Sequence, residues 1–510
     1  MRRATWTRID AGARRTGPST QPLPDTTRAM HADAPTLVIT DVEAGVRPVQ
    51  LRLPFRFGAV TLERCPQLFV RVHARIGGQE ATGHAAEMLV PRWFDKRPGP
   101  SMAANVAGLV ASVQRCRDAY RHDAPATAFG LFARHYAGLM AAGEADGQTA
   151  LTAAYGQAVI DRAVLDALCR AFGVSFFDAL RRNLPGIAAT PLLPDLDGWD
   201  WSAWLASLDP LRRIALRHTV GLLDPLEPVA ADDAGGGPVS LPAVIAIDRP
   251  THFKIKLGGD PVADAARLDA VLGVLDDHVA DYRYTLDGNE QVKDAHALRA
   301  LFDALRPVLA KGGSTRRAEA LMYLEQPLPR DASLGAELPW REAPAPLLMD
   351  EADGRLSDWP AGAPLGWHGV SSKSCKGLYK AIANRARVDA WAQRDPRAPR
   401  CFMSAEDLTC QAGLSVQQDL ALAALLGLAS SERNGHHYGP GFGTAPADEQ
   451  RAYAEAHADL YCGGRDGQPP RLRREGGVLR IDSLFAPGFA HRADPDWRAM
   501  QPLADAVTLV

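Results

Sequence analysis

A chain of 510 residues exceeds the roughly 250 to 300 at which one hydrophobic core stops growing, so two domains, or one large barrel with additions, are expected. Hydrophobic residues at 46% and charged residues at 23% are ordinary for a globular protein, and a formal charge of -3 supplies no basic footprint for nucleic acid or an anionic membrane. Seven cysteines without a C-x-x-C spacing argue against a disulfide framework or a zinc ribbon, and are expected to be reduced thiols of a cytoplasmic protein.

Residues 1–35 carry arginines without the apolar run of a signal sequence and are expected to form a disordered or irregular tail. No window offers the ~18 consecutive apolar residues of a membrane span. From 36 to 82, TLVIT, VQLRLPF and QLFVRVHARIGG alternate as strands do, and the closing Gly pair suits a turn, so an antiparallel meander is predicted. Between about 100 and 190 the period changes. AANVAGLVASVQRC and ALTAAYGQAVIDRAVLDALCRAF carry apolar residues three and four apart, which predicts helices and makes the first region α+β. PLLPDLDGWDW, within 190–204, and ADDAGGGP at 231–238 predict connections.

Beyond them strand and helix alternate, the signature of βα units around a parallel sheet. FKIKLGG predicts a strand, and Asp260 caps the helix after it, with Pro261 in the first position and Leu268, Val271, Leu272 and Leu275 on one stripe. The series continues through YRYTLDGNE, the helix DAHALRALFDALRPVL, ALMYLEQP, PLLMDEAD, HGVSSKSCKG, the helix GLYKAIANRARVDAWAQ, CFMSAED and the helix SVQQDLALAALLGL.

Lys254 and Lys256 share one face of their strand while Phe253, Ile255 and Leu257 take the other, so in a barrel the lysines point inward at the C-terminal mouth. Asp287, Glu325, Asp350 with Glu351, and Lys373 end the next four strands, and Asn289 follows Asp287. The long interval before Glu325 points to an insertion. Three carboxylates converging on one mouth repel one another unless a cation holds them, and oxygen donors with open positions suit Mg²⁺. Lysines beside such a cation, partly buried, are expected to have pKa values depressed toward neutrality and to act as acid and base.

The set K-x-K, D-x-N, E-Q-P, D-E and a distal Lys resembles the enolase superfamily, within it the mandelate racemase and muconate lactonising enzyme branch. The resemblance implies an α/β fold: a modified TIM (β/α) barrel at 206–430, an N-terminal α+β capping domain at 36–205, and a segment at 431–510 that returns to complete the cap. It implies Asp287, Glu325 and Asp350 as ligands of one Mg²⁺, with Mn²⁺ as the substitute and Asn289 supporting the first ligand. Lys256 would be the base on one face of a small carboxylate substrate, with Lys254 beside it tuning its charge and helping to hold the carboxylate. Lys373 would serve the opposite face as base, acid or stabiliser of the enolate. A mandelate racemase type is expected to end its seventh strand in His, where this sequence reads CFMSAEDL, so the two-lysine pattern of muconate lactonising enzymes, dipeptide epimerases and succinylbenzoate synthases is favoured. Because KSCKGLYK follows the sixth strand, Lys376 competes with Lys373. Alternation would put Lys376 on the other face if the strand extended that far, which favours Lys373.

The implied activity is proton abstraction α to a carboxylate through an enolate, as an isomerase, with a lyase such as an acid-sugar dehydratase as the alternative, in a homo-oligomer. A Schiff-base aldolase built on Lys373 leaves the three carboxylates idle, and a non-catalytic barrel leaves the intact ligands and lysines without a use. Glu406 and Asp407 suit either a substrate contact or the cap of the following helix. His436 and His437, in NGHHYGPG just past the expected eighth strand, either line the site or, as adjacent histidines in a Gly-rich loop favour, are solvated, and His368 is read as structural. No G-x-G-x-x-G or Walker pattern supports a nucleotide site.

Overall fold

The alternating segments near the N-terminus pair into one antiparallel sheet. A computed structural model describes residues 34–233, 237–463 and 469–510, so the tail expected at 1–35 lies almost wholly outside the described residues. Strand β1 (Leu37–Phe57) pairs with β2 (Val60–Ile76), and β2 with β3 (Gln79–Met88) through the predicted turn, where Gly77 and Gly78 adopt φ of 57° and 85°. Helices α1 (Met102–Tyr120), α2 (Ala128–Ala145) and α3 (Ala150–Ala171) follow. Ser101, Thr127 and Thr149 cap them, each hydroxyl accepting a backbone N–H three residues on. Helix α3, buried along most of its length, lies against β3 at Gly83, where an added Cβ would stand 2.1 Å from the Ala163 carbonyl oxygen. Gly83→Ala is therefore expected to destabilise the fold by about 1–3 kcal/mol. Urea denaturation checks this, and an unchanged midpoint would mean that the helix can move off the sheet without loss.

The connection expected at 190–204 is partly helical. Pro194–Leu196 forms a 3₁₀ turn, and Asp200 caps a helix at Trp201–Ser207 that buries Trp201, Trp204 and Leu205; the three apolar anchors outweigh the local Pro and Asp content. In ADDAGGGP the residues Ala230–Asp233 make one 3₁₀ turn, and 234–236 lie outside the described residues.

Eight parallel strands then close a barrel: β4 (Arg213–Val220), β5 (His252–Lys256), β6 (Arg283–Asp287), β7 (Leu321–Glu325), β8 (Leu347–Met349), β9 (Gly369–Ser372), β10 (Phe402–Ala405) and β11 (Ser430–Glu432). Each pairs with the next, and β11 returns to β4 through Ser430↔Ala215 and Glu432↔Arg217. The outer face is apolar: Phe253 and Ile255 pack on Leu268, Val271, Leu272 and Leu275 of the helix Pro261–His278, which Asp260 caps by accepting the N–H groups of Val262 and Ala263. Helices likewise follow β6, β9 and β10, at Ala295–Leu309, Leu378–Arg394 and Leu414–Leu425.

The C-terminal segment touches both halves. Val478–Arg480 runs antiparallel to β4, and Gln501–Pro502 adds an outer strand to β1, with Gly45 opposite Pro502. A buried bidentate pair ties Arg47 of β1 to Glu449, at 2.7 and 2.6 Å. All seven cysteines are free. Among the described residues no helix is long and apolar enough to cross a membrane.

Burial keeps three histidines neutral. Burial brings His84, His252 and His457 down to about 4, and the His457 Nε2 accepts the N–H of Arg492 at 3.2 Å. Their folded values lie below the ~6.5 of an unfolded histidine, so their stabilisation is fully present above pH ~6.5 and is lost as the pH falls toward 4. Urea midpoints are expected to drop across that window, and flat midpoints would show that these imidazoles accept protons without unfolding.

Candidate active site

The β-register assembles the mouth of the barrel. Lys256 stands opposite Asp287, and Asp287 opposite Glu325, on three consecutive strand ends. Asp350 follows β8 directly, and Lys373 follows β9. All are buried and lie at the same mouth of the barrel. Lys256 donates to Asp287 Oδ2 at 2.6 Å, and Lys373 donates to Asp350 Oδ2 at 2.7 Å. They come from the second and sixth strands of eight, and therefore from opposite sides of the mouth.

Lys254, 1% exposed, occupies the middle. Its ammonium lies 3.0 Å from Asp287 Oδ2, 2.7 Å from Glu325 Oε2, 2.7 Å from Glu406 Oε2 and 3.0 Å from Glu432 Oε2. Burial would lower its pKa, and the four carboxylates override this and hold it well above the usual lysine value. Burial likewise opposes the charge on Lys373, and Asp350 overrides it. These raised values are set by the protein's own carboxylates, whereas the depression toward neutrality is expected of Lys256 and Lys373 beside a bound cation. A buried ammonium with carboxylates at hydrogen-bond distance gains more from them than it loses by leaving water.

The carboxylates divide accordingly. Burial would raise Asp287, and Lys254 and Lys256 hold it below the normal range; Asp350 is held low in the same way by Lys373 and Lys376. Glu325 is pushed well above its normal value by burial and then by repulsion from Asp287 and Glu406.

The oxygen donors of Asp287, Glu325 and Asp350 fit a hard divalent cation. Glu325 Oε2, although near Lys254, makes no well-directed hydrogen bond, and Asn289 Oδ1 and Glu351 Oε2 are also buried without a partner. Among the described residues, two other sets of potential ligands have their atoms within 4.8 Å of one another, His84–Asp166–His491 and His218–Asp224–His437. The triad Asp287, Glu325 and Asp350, paired with Lys254, Lys256 and Lys373, is not drawn together to that extent.

Neighbouring residues fix this arrangement. Asn289 supports Asp287 through its backbone, its N–H donating to Oδ1 at 2.9 Å, while its side chain donates to Glu351 at 3.3 Å. In E-Q-P the Gln326 side chain accepts the N–H groups of Asp350 and Ala352 at 2.8 and 3.1 Å, which locks the fifth strand end to the fourth. Lys376 lies beneath Asp350, donating to its carbonyl at 3.0 Å and standing 2.8 Å from Asp353. Alternation does not decide between Lys373 and Lys376, because β9 ends at Ser372 and a 3₁₀ turn at Ser374–Lys376 redirects the chain.

Glu406 does not cap the next helix, which starts beyond Gly413. It faces the mouth, bonded to Lys254, to Arg217 of β4 and, at 2.7 Å, to Tyr323. Asp407 accepts the N–H groups of Cys410 and Gly435. His368 packs edge-on against Trp340, consistent with a structural role. His436 and His437 are buried in a helical turn at Gly435–Tyr438, not solvated, because that turn packs between β4 and the cap strand β1.

Sequence reasoning missed Glu432, Arg217 and the roof. Phe55 and Phe57 of β1, with Trp93, cover the mouth: the Phe55 ring lies 5.6 Å from Lys256 Nζ, and the Trp93 ring 4.3 Å from Lys373 Nζ. The cavity beneath them is about 20 Å³, room for about one water molecule. A larger cavity, about 960 Å³, lies away from these groups, beside Arg52, His436 and 469–474.

No family model matches the chain, and no curated protein sequence does. Solved structures do. A muconate lactonizing enzyme from Pseudomonas fluorescens, complexed with muconolactone, is 16% identical with a TM-score of 0.55, covering 90% of this chain and 97% of its own. A dipeptide epimerase from Enterococcus faecalis V583, complexed with Mg and a dipeptide, is 15% identical with a TM-score of 0.56, covering 89% and 99%. An enolase from Bradyrhizobium, complexed with magnesium and mandelic acid, is 17% identical with a TM-score of 0.57, covering 90% and 96%. With its eight-stranded barrel roofed by an antiparallel sheet that the C-terminal segment completes, this chain has the fold of the enolase superfamily.

Proposed function

We propose that this protein is an enolase-superfamily enzyme that removes the proton α to the carboxylate of a small substrate, and that it is an isomerase: a racemase, epimerase or cycloisomerase. The observation that carries this reading is the pair of buried lysines on opposite sides of the mouth, Lys256 at Asp287 and Lys373 at Asp350. Asp287, Glu325 and Asp350 would hold Mg²⁺, which supplies Lewis-acid stabilisation of the charge that develops on the substrate carboxylate.

The side chains divide the remaining work. Lys256 and Lys373, on opposite faces, suit the proton acceptor and donor by their positions. Lys254, charged and fixed by Glu325, Glu406 and Glu432, offers positive potential to a substrate carboxylate. Phe55, Phe57 and Trp93 exclude water, which strengthens each of these interactions. A screen of carboxylic acids in D₂O with Mg²⁺, followed by NMR, tests the proposal. α-Proton exchange is expected, it should disappear with EDTA, and the product separates isomerisation from elimination. Exchange that persists in EDTA would overturn the metal-dependent reading.

A further inference from the structure

The cluster His218–Asp224–His437 lies on the outer face of the barrel, apart from the lysines and carboxylates of the mouth. His218 is on β4 and alternates with Arg217 and Thr219, which point inward to Glu406 and Glu432. Asp224 lies in the loop after β4, and His437 in the helical turn after β11, so the three span the seam at which the barrel closes. The rings of His218 and His437 are 4.7 Å apart and nearly perpendicular. His437 Nε2 stands 3.7 Å from Asp224 Oδ2.

Two observations single this cluster out. His437 is 1% exposed, and neither of its ring nitrogens has a hydrogen-bond partner. A buried imidazole without partners costs about 1–3 kcal/mol unless something else binds it. Asp224 also lacks a cationic side-chain partner. Three arginines stand near, but Arg52 donates to the carbonyls of Gly237, Pro238 and His437, Arg267 to those of Gly221 and Asp224, and Arg474 pairs with Asp248. Asp224 Oδ2 accepts only from the Gly221 N–H at 2.8 Å and the Tyr438 hydroxyl at 2.7 Å, the kind of outer support that orients a ligating carboxylate. The other His/Asp set differs. There Arg170 Nε bonds Asp166 at 2.9 Å and its Nη2 reaches His491, so a guanidinium already satisfies the cluster.

We propose that His218, Asp224 and His437 form a binding site for one transition-metal dication of the Zn²⁺ class. Two neutral imidazoles and one carboxylate are borderline donors that prefer Zn²⁺ to Mg²⁺, and they leave a fourth position for water. Metal bonds of about 2.0–2.1 Å set tetrahedral ligand atoms ~3.3 Å apart; His437 Nε2 and Asp224 Oδ2, at 3.7 Å, are close to that spacing, and all three ligand atoms lie within 4.8 Å of one another. The ion would pin β4 to the turn after β11. It would also steady Tyr438, whose ring stacks at 4.3 Å on Phe55, the roof residue above Lys256.

The test uses the full chain, stripped with chelator and titrated with Zn²⁺ or Co²⁺ in excess Mg²⁺. One equivalent of Zn²⁺ is expected to bind and raise the melting temperature, and Co²⁺ should give the intense visible bands of a four-coordinate N/O site. His218→Gln, Asp224→Asn and His437→Gln should each weaken binding by at least ~100-fold, and Tyr438→Phe by roughly tenfold. His436→Gln and Asp350→Asn should retain the signal. If wild-type protein binds no Zn²⁺ in excess Mg²⁺, or Asp350→Asn abolishes the bands, or His436→Gln weakens them as much as His437→Gln, the site is not the one proposed. Should the ligand variants fail to fold, the wild-type titration and the two retained variants still decide the matter, and failure to find a substrate for the barrel leaves this result unaffected.

Discussion

Lys256→Ala is expected to lower α-proton exchange by about 10²- to 10⁴-fold, the usual contribution of a positioned acid or base. Lys256 Nζ is held 2.6 Å from Asp287 at the end of the second strand, and the next lysine on that side, Lys254, is engaged by four carboxylates. Lys373 stands on the other side of the mouth and cannot substitute for it. Lys373→Ala should therefore leave exchange of one enantiomer measurable while interconversion of the two collapses. Proton NMR in D₂O with each enantiomer separately reads both effects. Exchange within tenfold of wild type in Lys256→Ala would remove this lysine from the mechanism.

Lys254→Ala should be the most destabilising single change in the barrel, about 3–5 kcal/mol, the cost of leaving a buried charge without its partner. Here one ammonium serves Asp287, Glu325, Glu406 and Glu432, all of them buried. Arg217 and Tyr323 still hold Glu406 in the variant, while Glu325 loses its nearest cation. Millimolar Mg²⁺ should restore part of the stability, since a ligand that binds only the folded state stabilises it by mass action. Urea denaturation with and without Mg²⁺ measures the loss and the recovery together. An unchanged midpoint would mean that the carboxylates take up protons at little cost when the ammonium is gone.

How far the sequence could be read depended on the length of each element. Lys254 and Lys256 were legible because a five-residue strand is long enough for alternation to assign its faces. Asp287, Glu325 and Asp350 followed because each ends a strand that a hydrophobic run announces. Glu432 was not legible: β11 has three residues, Ser430–Glu432, too few for a period to emerge. The first barrel strand, RIALRHTV, was passed over for a different reason, since its inward Arg217 and Thr219 look like surface residues until Glu406 and Glu432 are seen opposite them. The roof formed by Phe55, Phe57 and Trp93 depends on contacts between distant parts of the chain, which no local pattern encodes. The same holds for the charge on Lys373, which is set by Asp350 across the space between two strand ends.

The strand added by Gln501–Pro502 has a consequence for synthesis. Gly45 leaves the ribosome hundreds of residues before Pro502, so the edge of β1 at Gly45 and Val46 is made early and paired late. Until then it offers unsatisfied N–H and C=O groups to any other nascent chain, the hazard common to exposed sheet edges. Closing so long a loop adds little entropy per residue but delays the contact, because everything between must be made first. The barrel, complete by Glu432, can therefore assemble while the roof sheet is still missing its outermost strand.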